Sequence, residues 1–459
     1  MTSVLESLCR FAKSVEFDTL DERVIAGTKQ LLLDSLGCIV FGYDEEASRI
    51  ARRTVKHFAA PGRSTLIGDG VRTVPMLASL ANGVALRVTE YNDVFLGART
   101  LIHPTEIIPP VLAIAEHVGS SGADTLAAIS LGLELNARIA NSVPIQDKGW
   151  HHTTAGILVT PAVAGKLLQL TAPQLANAVA ISCSYGLTPR EMHGGALSMM
   201  RSIAYPLTSY TGILAAFLAQ DGFTGPPTAL EGAAGLLSQL GADRSALDAA
   251  FDAPDFQIML GDSIKRYGCS TIGQTAVAAT IQLVTENNLS PDDIEHLHVS
   301  TFKMAWDIGA EPARRFPTTK ESADHSMYYY VAAAAIDRDL GPRQFELSRI
   351  NSGDIRHLIE KISIEWDPSL DSQWPRTRPT RVDVSTRDGR QLSLRLEIPP
   401  GDPQNMLSES EVAAKFQGLS ERRLSRHRQR MIRETVSHLE SIPNVGQLMT
   451  LLSFEGTVV

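Results

Sequence analysis

Apolar residues recur every three or four positions over most of the first 260 residues, and this spacing predicts one helix after another. A first helix is predicted after Thr19-Leu20-Asp21-Glu22, which fits a capping box, and Gly37 marks its expected end. Windows rich in small apolar residues then follow at 74–87, 109–118, 124–141, 156–169, 174–184 and 210–220.

The pattern changes near residue 268, where strands become detectable. Residues 295–302 are rich in β-branched side chains, and residues 362–366 alternate apolar with polar positions, as half-buried strands do. Asp388-Gly389 lies between two alternating stretches, which predicts a hairpin with a tight turn. Residues 323–338 and the segment from about 408 return to the helical pattern.

A chain of 459 residues is long enough for two domains. The fold class predicted from these patterns is mainly α with an α+β second domain. A large helical domain would comprise residues 1–267 and be completed by residues 405–459, while residues 268–404 form the smaller α+β domain.

The overall charge argues against a nucleic-acid partner, because the net charge is −9 at pH 7. One basic cluster near the C-terminus is interpreted as a solvated helix face. Its members are Arg422, Arg423, Arg426, Arg428, Arg430 and Arg433.

Targeting signals are not apparent. The first 17 residues contain acidic and basic side chains and lack the apolar core of a signal peptide, and no window of about 18 uninterrupted apolar residues predicts a membrane span. The four cysteines form no CxxC pair and do not suit a zinc or iron–sulfur site. We therefore expect a cytoplasmic protein with reduced thiols and no metal.

Asp93 and His103 lie ten positions apart across a loop that contains Gly97 and is closed by Pro104. A carboxylate and an imidazole in one loop can meet in a pocket and exchange protons. The alternative interpretation is an aspartate in an Asx turn and a histidine that caps a helix.

His151-His152 is a doublet after Trp150, and adjacent residues point in different directions, so at most one is expected to face a given site. Thr153 and Thr154 could cap the following helix, whose N-terminus would favour an anion. The alternative is a surface doublet with one ring against the core.

Three further segments offer candidate groups. Arg190 precedes His193-Gly194-Gly195 and Arg201, and an arginine here could bind a carboxylate with two hydrogen bonds, although an ordinary solvated loop is the alternative. Lys265 and Tyr267 lie at the expected domain junction, where clefts commonly form.

The run Tyr328-Tyr329-Tyr330 precedes an apolar helix, and three consecutive tyrosines are not expected to face the core together. One phenol could donate a proton or hydrogen bond; the alternative is one buried ring and two on the surface. His296 and His298 share one strand face, but no carboxylate or cysteine partner is evident on that face, so a metal site is not expected.

Taken together, these segments resemble the MmgE/PrpD family, which includes 2-methylcitrate dehydratases, cis-aconitate decarboxylases and an iminodisuccinate epimerase. The resemblance covers nearly the whole chain. It is carried by Asn92-Asp93 with Leu96-Gly97, His103-Pro104, Gly149-Trp150-His151-His152, Gly222-Phe223-Thr224-Gly225-Pro226 and Ala323-Asp324-His325-Ser326.

The resemblance implies a helical domain built from both chain ends, an inserted α+β lid, a homodimer and no metal. It places Asp93, His103, His152 and Tyr329 at polar active-site positions, and Lys265 and Tyr267 in a basic-aromatic stretch at the start of the lid. Three positions depart from the family pattern: Arg201 replaces a common lysine, Ile272 a histidine, and His151 an aspartate.

The function implied is that of a cofactor-independent lyase that dehydrates a 2-methylcitrate-like or alkylcitrate-like polycarboxylate. His152 would act as the base, and His103, supported by Asp93, as the acid or orienting group, although the acid and base labels could be exchanged. Tyr329 would donate a hydrogen bond, and the substrate would be held by Arg201, Lys265, Tyr267, Arg190 and His151. Decarboxylation, epimerisation and carboxylate binding without catalysis are the alternatives, and no nucleic acid or membrane is expected as a partner.

Overall fold

The computed structural model describes residues 3–58, 60–185, 187–193, 198–253 and 256–454. The chain divides into two compact units, Met1–Asp262 with Glu409–Val459, and Ser263–Ser408. The boundaries expected from sequence, at 267/268 and 404/405, lie within five residues of these.

The first part of the larger unit is built almost entirely from helices. Its short strands pair as β1 with β2 and as a three-stranded sheet in the order β4-β3-β5. The elements are α1 (Val4–Ser14), α2 (Glu22–Gly42), α3 (Glu46–His57), β1 (Ser64–Thr65), β2 (Arg72–Thr73), α4 (Pro75–Arg87), β3 (Val94–Leu96), β4 (Leu101–Ile102), α5 (Ile108–Val118), α6 (Gly122–Ser142), α7 (Gly156–Leu167), α8 (Ala172–Ser182), α9 (Met200–Gln220), α10 (Leu236–Leu240), α11 (Arg244–Asp252) and β5 (Asp262–Ser263).

The second unit combines helices with a four-stranded sheet in the order β7-β6-β8-β9. β6 pairs in parallel with β7 and antiparallel with β8, and β8 and β9 form the predicted hairpin, with Gly389 at a φ of 86° in its turn. The elements are α12 (Gln274–Glu286), β6 (Ile294–Thr301), α13 (Lys303–Gly309), α14 (Lys320–Ala323), α15 (Met327–Asp337), α16 (Leu347–Ile350), α17 (Gly353–Glu360), β7 (Ile362–Trp366), β8 (Thr380–Thr386) and β9 (Gln391–Leu396).

The chain then returns to the first unit through α18 (Glu409–Ser420), α19 (Arg426–Ser437) and α20 (Gly446–Leu451). The predicted fold class, mainly α with an α+β second domain and a helical C-terminal return, is confirmed.

The start and end of α2 differ from the prediction. The cap is Asp21, whose carboxylate accepts from the Arg23 N–H, while the Thr19 hydroxyl is held by Glu16. The helix also continues past Gly37, because that glycine is an interior position where the backbone of α18 approaches closely. Gly37, which was predicted to end the helix, is therefore a packing position against α18.

The three tyrosines of α15 also contradict the prediction, because all of them are buried. α15 packs against α12, α17 and β7, so it is enclosed on several sides and carries apolar residues around its whole circumference. Tyr328 and Tyr329 donate their hydroxyls to the carbonyls of Ala310 and Gln344.

α2 and α9 are long and apolar enough to cross a membrane, and among the described residues they are the helices that meet this test. Buried interior helices meet it equally, and 61% of each apolar window is buried within the protein. α2 packs against α4 and α18, and α9 against α4, α7 and α8.

The contact between α2 and α4 requires a glycine. A Cβ atom on Gly42 would lie 1.9 Å from the carbonyl oxygen of Ala85 in α4, so an alanine would force the helices apart. α4 carries Arg87 two residues later, and this close approach therefore fixes the position of that side chain.

We predict that Gly42→Ala destabilises the protein by about 1–3 kcal/mol, because the added methyl overlaps backbone. The matched control is Gly418→Ala in α18, where nothing lies within 4 Å of the added Cβ and the midpoint should stay or rise. Thermal melts of both variants check this. Equal midpoints would contradict the account of the helix contact.

Candidate active site in the helical unit

Arg87 lies at the C-terminal end of α4 and is 5% exposed. Its Nη1 donates to Glu90 Oε1 at 2.8 Å and to Asn92 Oδ1 at 3.3 Å, and its Nε is 3.1 Å from Glu106 Oε1. Burial would lower the pKa of Arg87, but the two carboxylates outweigh burial and raise it. The guanidinium is therefore a permanent charge at the centre of the cluster.

Glu90 adopts a φ of 55°, a left-handed conformation that is uncommon for a residue with a side chain. This turn directs its carboxylate to two cations, since the Arg201 guanidinium on α9 also donates to Glu90 Oε1. Backbone strain of this kind is often found at functional sites. Arg201, expected to hold a substrate carboxylate, here holds a carboxylate of the protein itself.

Asp93 is fully buried, and its carboxylate accepts from the backbone N–H and hydroxyl of Thr105 and from Asn92. Burial raises the pKa of Asp93, and hydrogen bonds from Asp262 and Thr105 oppose that rise. Asp93 contacts His103 through its main-chain carbonyl, whose oxygen is 2.5 Å from His103 Nδ1. The predicted support of His103 by Asp93 thus comes from the backbone, while the carboxylate anchors the turn at Thr105.

The contacts of His103 define its protonation state. A carbonyl oxygen can only accept, so Nδ1 must carry a proton. Arg87 Nη2 lies 3.3 Å from His103 Nε2, and an arginine can only donate, so Nε2 must present a lone pair. We therefore assign His103 as neutral imidazole with its proton on Nδ1.

Both histidines of the doublet are buried. His151, rather than a threonine, caps the short 3₁₀ helix His152–Ala155, because its Nδ1 accepts from the Thr153 N–H. The His152 ring lies 4.0 Å from the His151 ring and 5.0 Å from the His103 ring, centre to centre. The histidines predicted from separate segments thus form one cluster.

Glu106 gives His152 an environment opposite to that of His103. His152 Nε2 is 3.5 Å from Glu106 Oε2, an ion-pair distance when the imidazole is protonated. A carboxylate favours the charged imidazolium, whereas the guanidinium beside His103 disfavours it. One histidine of the pair is thus biased towards the protonated form and the other towards the neutral form.

The C-terminal return supports this cluster. Lys415 of α18 lies 2.6 Å from Asp34 of α2, and both side chains are almost completely buried. Lys415 also donates to the carbonyl of Tyr91 at 2.9 Å, in the loop between Glu90 and Asp93. Lys415 is more than 300 positions away in sequence, and it holds in place the loop that carries Glu90 and Asp93.

Arg190 is exposed, and its segment lies beside the segment that carries the doublet His151-His152. Its backbone N–H donates to Gly149, and the His151 N–H donates to Thr188, so the two segments run side by side. Gly194 and Gly195 of the same predicted segment lie outside the described residues.

The remaining predicted residues belong to the second unit. Lys265 is 3% exposed. Tyr267 is in that unit's apolar core, where burial raises its pKa. Tyr329 is fully buried, and its hydroxyl is donated to Gln344, so its surroundings are those of a core residue. Ile272, at the position where a histidine is common in the family, is also core.

Sequence reasoning missed Arg87, Glu90 and Glu106. The sequence did contain a hint of two of them. Arg87 ends an apolar helical window, and Glu106 directly precedes the apolar run of α5. Charged side chains in such positions require partners, which the sequence does not name. Among the described residues, no group of three or more His, Cys, Asp and Glu side chains is arranged to hold a metal ion.

The fold and this cluster define a protein with a helical unit that carries a buried cluster of acidic, basic and histidine side chains, and an inserted α+β unit. Residues 6–246 match the MmgE/PrpD N-terminal domain, and residues 267–441 match the MmgE/PrpD C-terminal domain. The chain belongs to the MmgE/PrpD family.

Relatives with stated activities are enzymes. The chain is 26% identical over 470 residues to a cis-aconitate decarboxylase of Homo sapiens, covering 98% of this chain and 95% of the relative. It is 24% identical over 485 residues to a cis-aconitate decarboxylase of Aspergillus terreus, covering 98% and 96%. A probable 2-methylcitrate dehydratase of Saccharomyces cerevisiae is 26% identical over 183 residues, covering 37% and 35%.

We predict that Arg87→Leu destabilises the protein by about 3–5 kcal/mol, because it leaves the carboxylates of Glu90 and Glu106 buried without this cation. The matched control is Arg10→Leu, since Arg10 pairs with Asp252 on the surface at 3.1 Å and should contribute less than about 1 kcal/mol. Thermal melting compares the two. Similar losses in both variants would contradict the central place of Arg87.

Proposed function

We propose that this chain is a lyase that acts on a polycarboxylate by proton transfer through His103 and His152. The observation that carries the proposal is the buried pair of imidazoles, 5.0 Å apart, with a guanidinium beside one and a carboxylate beside the other. Two titratable groups whose surroundings favour opposite protonation states are suited to act as base and acid.

In this proposal His103 is the base and His152 is the acid. The Nε2 lone pair of His103 can accept a substrate proton once the long hydrogen bond from Arg87 Nη2 gives way, and Glu106 favours the protonated His152 that can donate one. This exchanges the roles expected from the sequence, where His152 was the base. Arg87 supports the exchange, because its positive charge disfavours a protonated His103 and so keeps this ring neutral before the reaction.

The substrate carboxylates would be held by the cations that now contact Glu90. Arg201 and Arg87 both donate to Glu90 Oε1, so an incoming carboxylate would compete with that side chain for the guanidinium hydrogens. Arg87 and Arg201 are thus the cationic side chains of this cluster that could hold a compact anion with several carboxylates.

Decarboxylation of a cis-aconitate-like substrate is the first candidate reaction, because the relatives similar over nearly the whole chain are cis-aconitate decarboxylases. In that reaction a carbon–carbon bond breaks and carbon dioxide leaves. The electron pair shifts across the alkene, and the far carbon takes a proton, for which His152 is the donor.

Dehydration of a 2-methylcitrate-like or alkylcitrate-like substrate is the second candidate, and the paired imidazoles favour it. Here His103 would remove the proton α to a carboxylate, the carbon–oxygen bond would break, and His152 would protonate the departing hydroxide to give water. The partial similarity to a 2-methylcitrate dehydratase supports this candidate.

Incubation of the purified protein with cis-aconitate, 2-methylcitrate and citrate, followed by proton NMR and mass analysis, distinguishes the two. Loss of carbon dioxide from cis-aconitate identifies the decarboxylase, and loss of water from either hydroxy acid identifies the dehydratase. No product and no ligand-induced rise in melting temperature with any of the three would contradict the proposal.

We predict that His152→Ala reduces kcat by about 10²–10⁴-fold on whichever substrate turns over, and that His103→Ala does so for a hydroxy acid, whose dehydration needs the base. The matched control is His57→Ala, an exposed histidine at the end of α3, which should retain full activity. Unchanged turnover in either pocket variant would remove that histidine from the reaction.

We further predict that Glu106→Gln lowers kcat and moves the alkaline limb of the pH–rate profile to lower pH. The carboxylate stabilises protonated His152, so without it the acid loses its proton at lower pH. A reduced rate with an unshifted profile would show that Glu106 acts only on packing.

A further inference from the structure

The outward face of the sheet in the second unit carries two histidines that the proposed reaction does not use. His296 and His298 lie two positions apart on β6, on the same face of the strand, and His296 is exposed. The parallel strand β7 places Ser363 beside His298 and Glu365 beside Ser300. Four side chains able to bind a metal ion or orient its ligands therefore come together from two strands.

Both imidazoles converge on one oxygen atom. His296 Nε2 is 2.8 Å from Ser363 Oγ, and His298 Nδ1 is 2.7 Å from the same atom. The two nitrogens are thus no farther apart than the sum of these distances. A zinc ion bound to two imidazoles lies about 2.0–2.1 Å from each nitrogen, so small side-chain rotations would bring both into contact with one ion.

Glu365 orients one of these imidazoles. His298 Nε2 is 3.0 Å from Glu365 Oε1, and because a carboxylate only accepts, Nε2 carries a proton, so a neutral His298 presents the lone pair of Nδ1 towards Ser363. A histidine that donates its second N–H to a carboxylate is the arrangement that orients imidazoles in metal sites.

The basic side chains around this face already have partners. Arg381 on β8 is engaged by Asp383 at 3.0 Å and by the Ser300 hydroxyl at 3.2 Å. Lys361 donates to the carbonyl of Ile294 at 2.7 Å. The sequence did not identify Glu365 as a partner of these histidines, because Glu365 lies on a strand more than 60 residues away.

We propose that His296 Nε2 and His298 Nδ1 together bind a divalent transition-metal ion, with the Ser363 hydroxyl and water completing its coordination. Two nitrogen ligands and oxygen suit Cu²⁺ and Zn²⁺, and the general order of affinities places Cu²⁺ first. The site is separate from the histidines of the helical unit, and it requires no step of the proposed reaction.

Equilibrium dialysis of the chelator-treated full-length protein against Zn²⁺, with metal counting, tests the site. The variant His296→Ala/His298→Ala should bind one ion per chain fewer than the wild type, whereas His357→Ala, which changes another exposed histidine of the same unit, should not. His103→Ala should also keep the ion. An unchanged zinc count in the double variant would overturn the proposal.

Two further variants test the geometry. Glu365→Gln should weaken zinc binding roughly tenfold or more, because the imidazole loses its orienting carboxylate. Ser363→His should tighten binding, since it adds a third imidazole where the other two converge. Electron paramagnetic resonance of the Cu²⁺-loaded wild type should show two coordinated imidazoles, and a single-imidazole signal would contradict the site.

Discussion

A buried arginine that contacts two carboxylates and an imidazole is the constraint on which the candidate site depends. Arg87 cannot lose its charge, so Glu90 and Glu106 must remain near it, and His103 must present a lone pair to it. Glu106 then faces His152 with its other oxygen. A single fixed charge thereby makes two similar imidazoles chemically different, which is what proton transfer in two directions requires.

The packing of the helices helps to hold the Arg87 guanidinium in place. Close contact at Gly42 positions α4, and the buried pair of Lys415 and Asp34 brings the C-terminal return onto α2. Lys415 then reaches the carbonyl of Tyr91 beside the strained turn at Glu90. The helical unit is made of two chain segments that the α+β unit separates in sequence, and both segments therefore support the candidate site.

The sequence predicted most of the architecture because its signals are local. Apolar spacing revealed the helices, and the Asp388-Gly389 turn between alternating stretches revealed the hairpin. Asp93, His103 and His152 could be selected as candidates because each lies in a polar segment between apolar runs. Arg87 and Glu106 were missed because their partners are distant in sequence, and the burial of Tyr329 was missed because a local pattern does not show that α15 is enclosed.

The most direct test of the central claim is the protonation state of the two histidines, measured by NMR on protein with ¹⁵N-labelled imidazoles and assigned with His103→Gln and His152→Gln variants. The account predicts that at neutral pH His103 is neutral with its proton on Nδ1, while His152 carries a proton on Nε2. A doubly protonated His103, or a proton on its Nε2, would contradict the role assigned to Arg87.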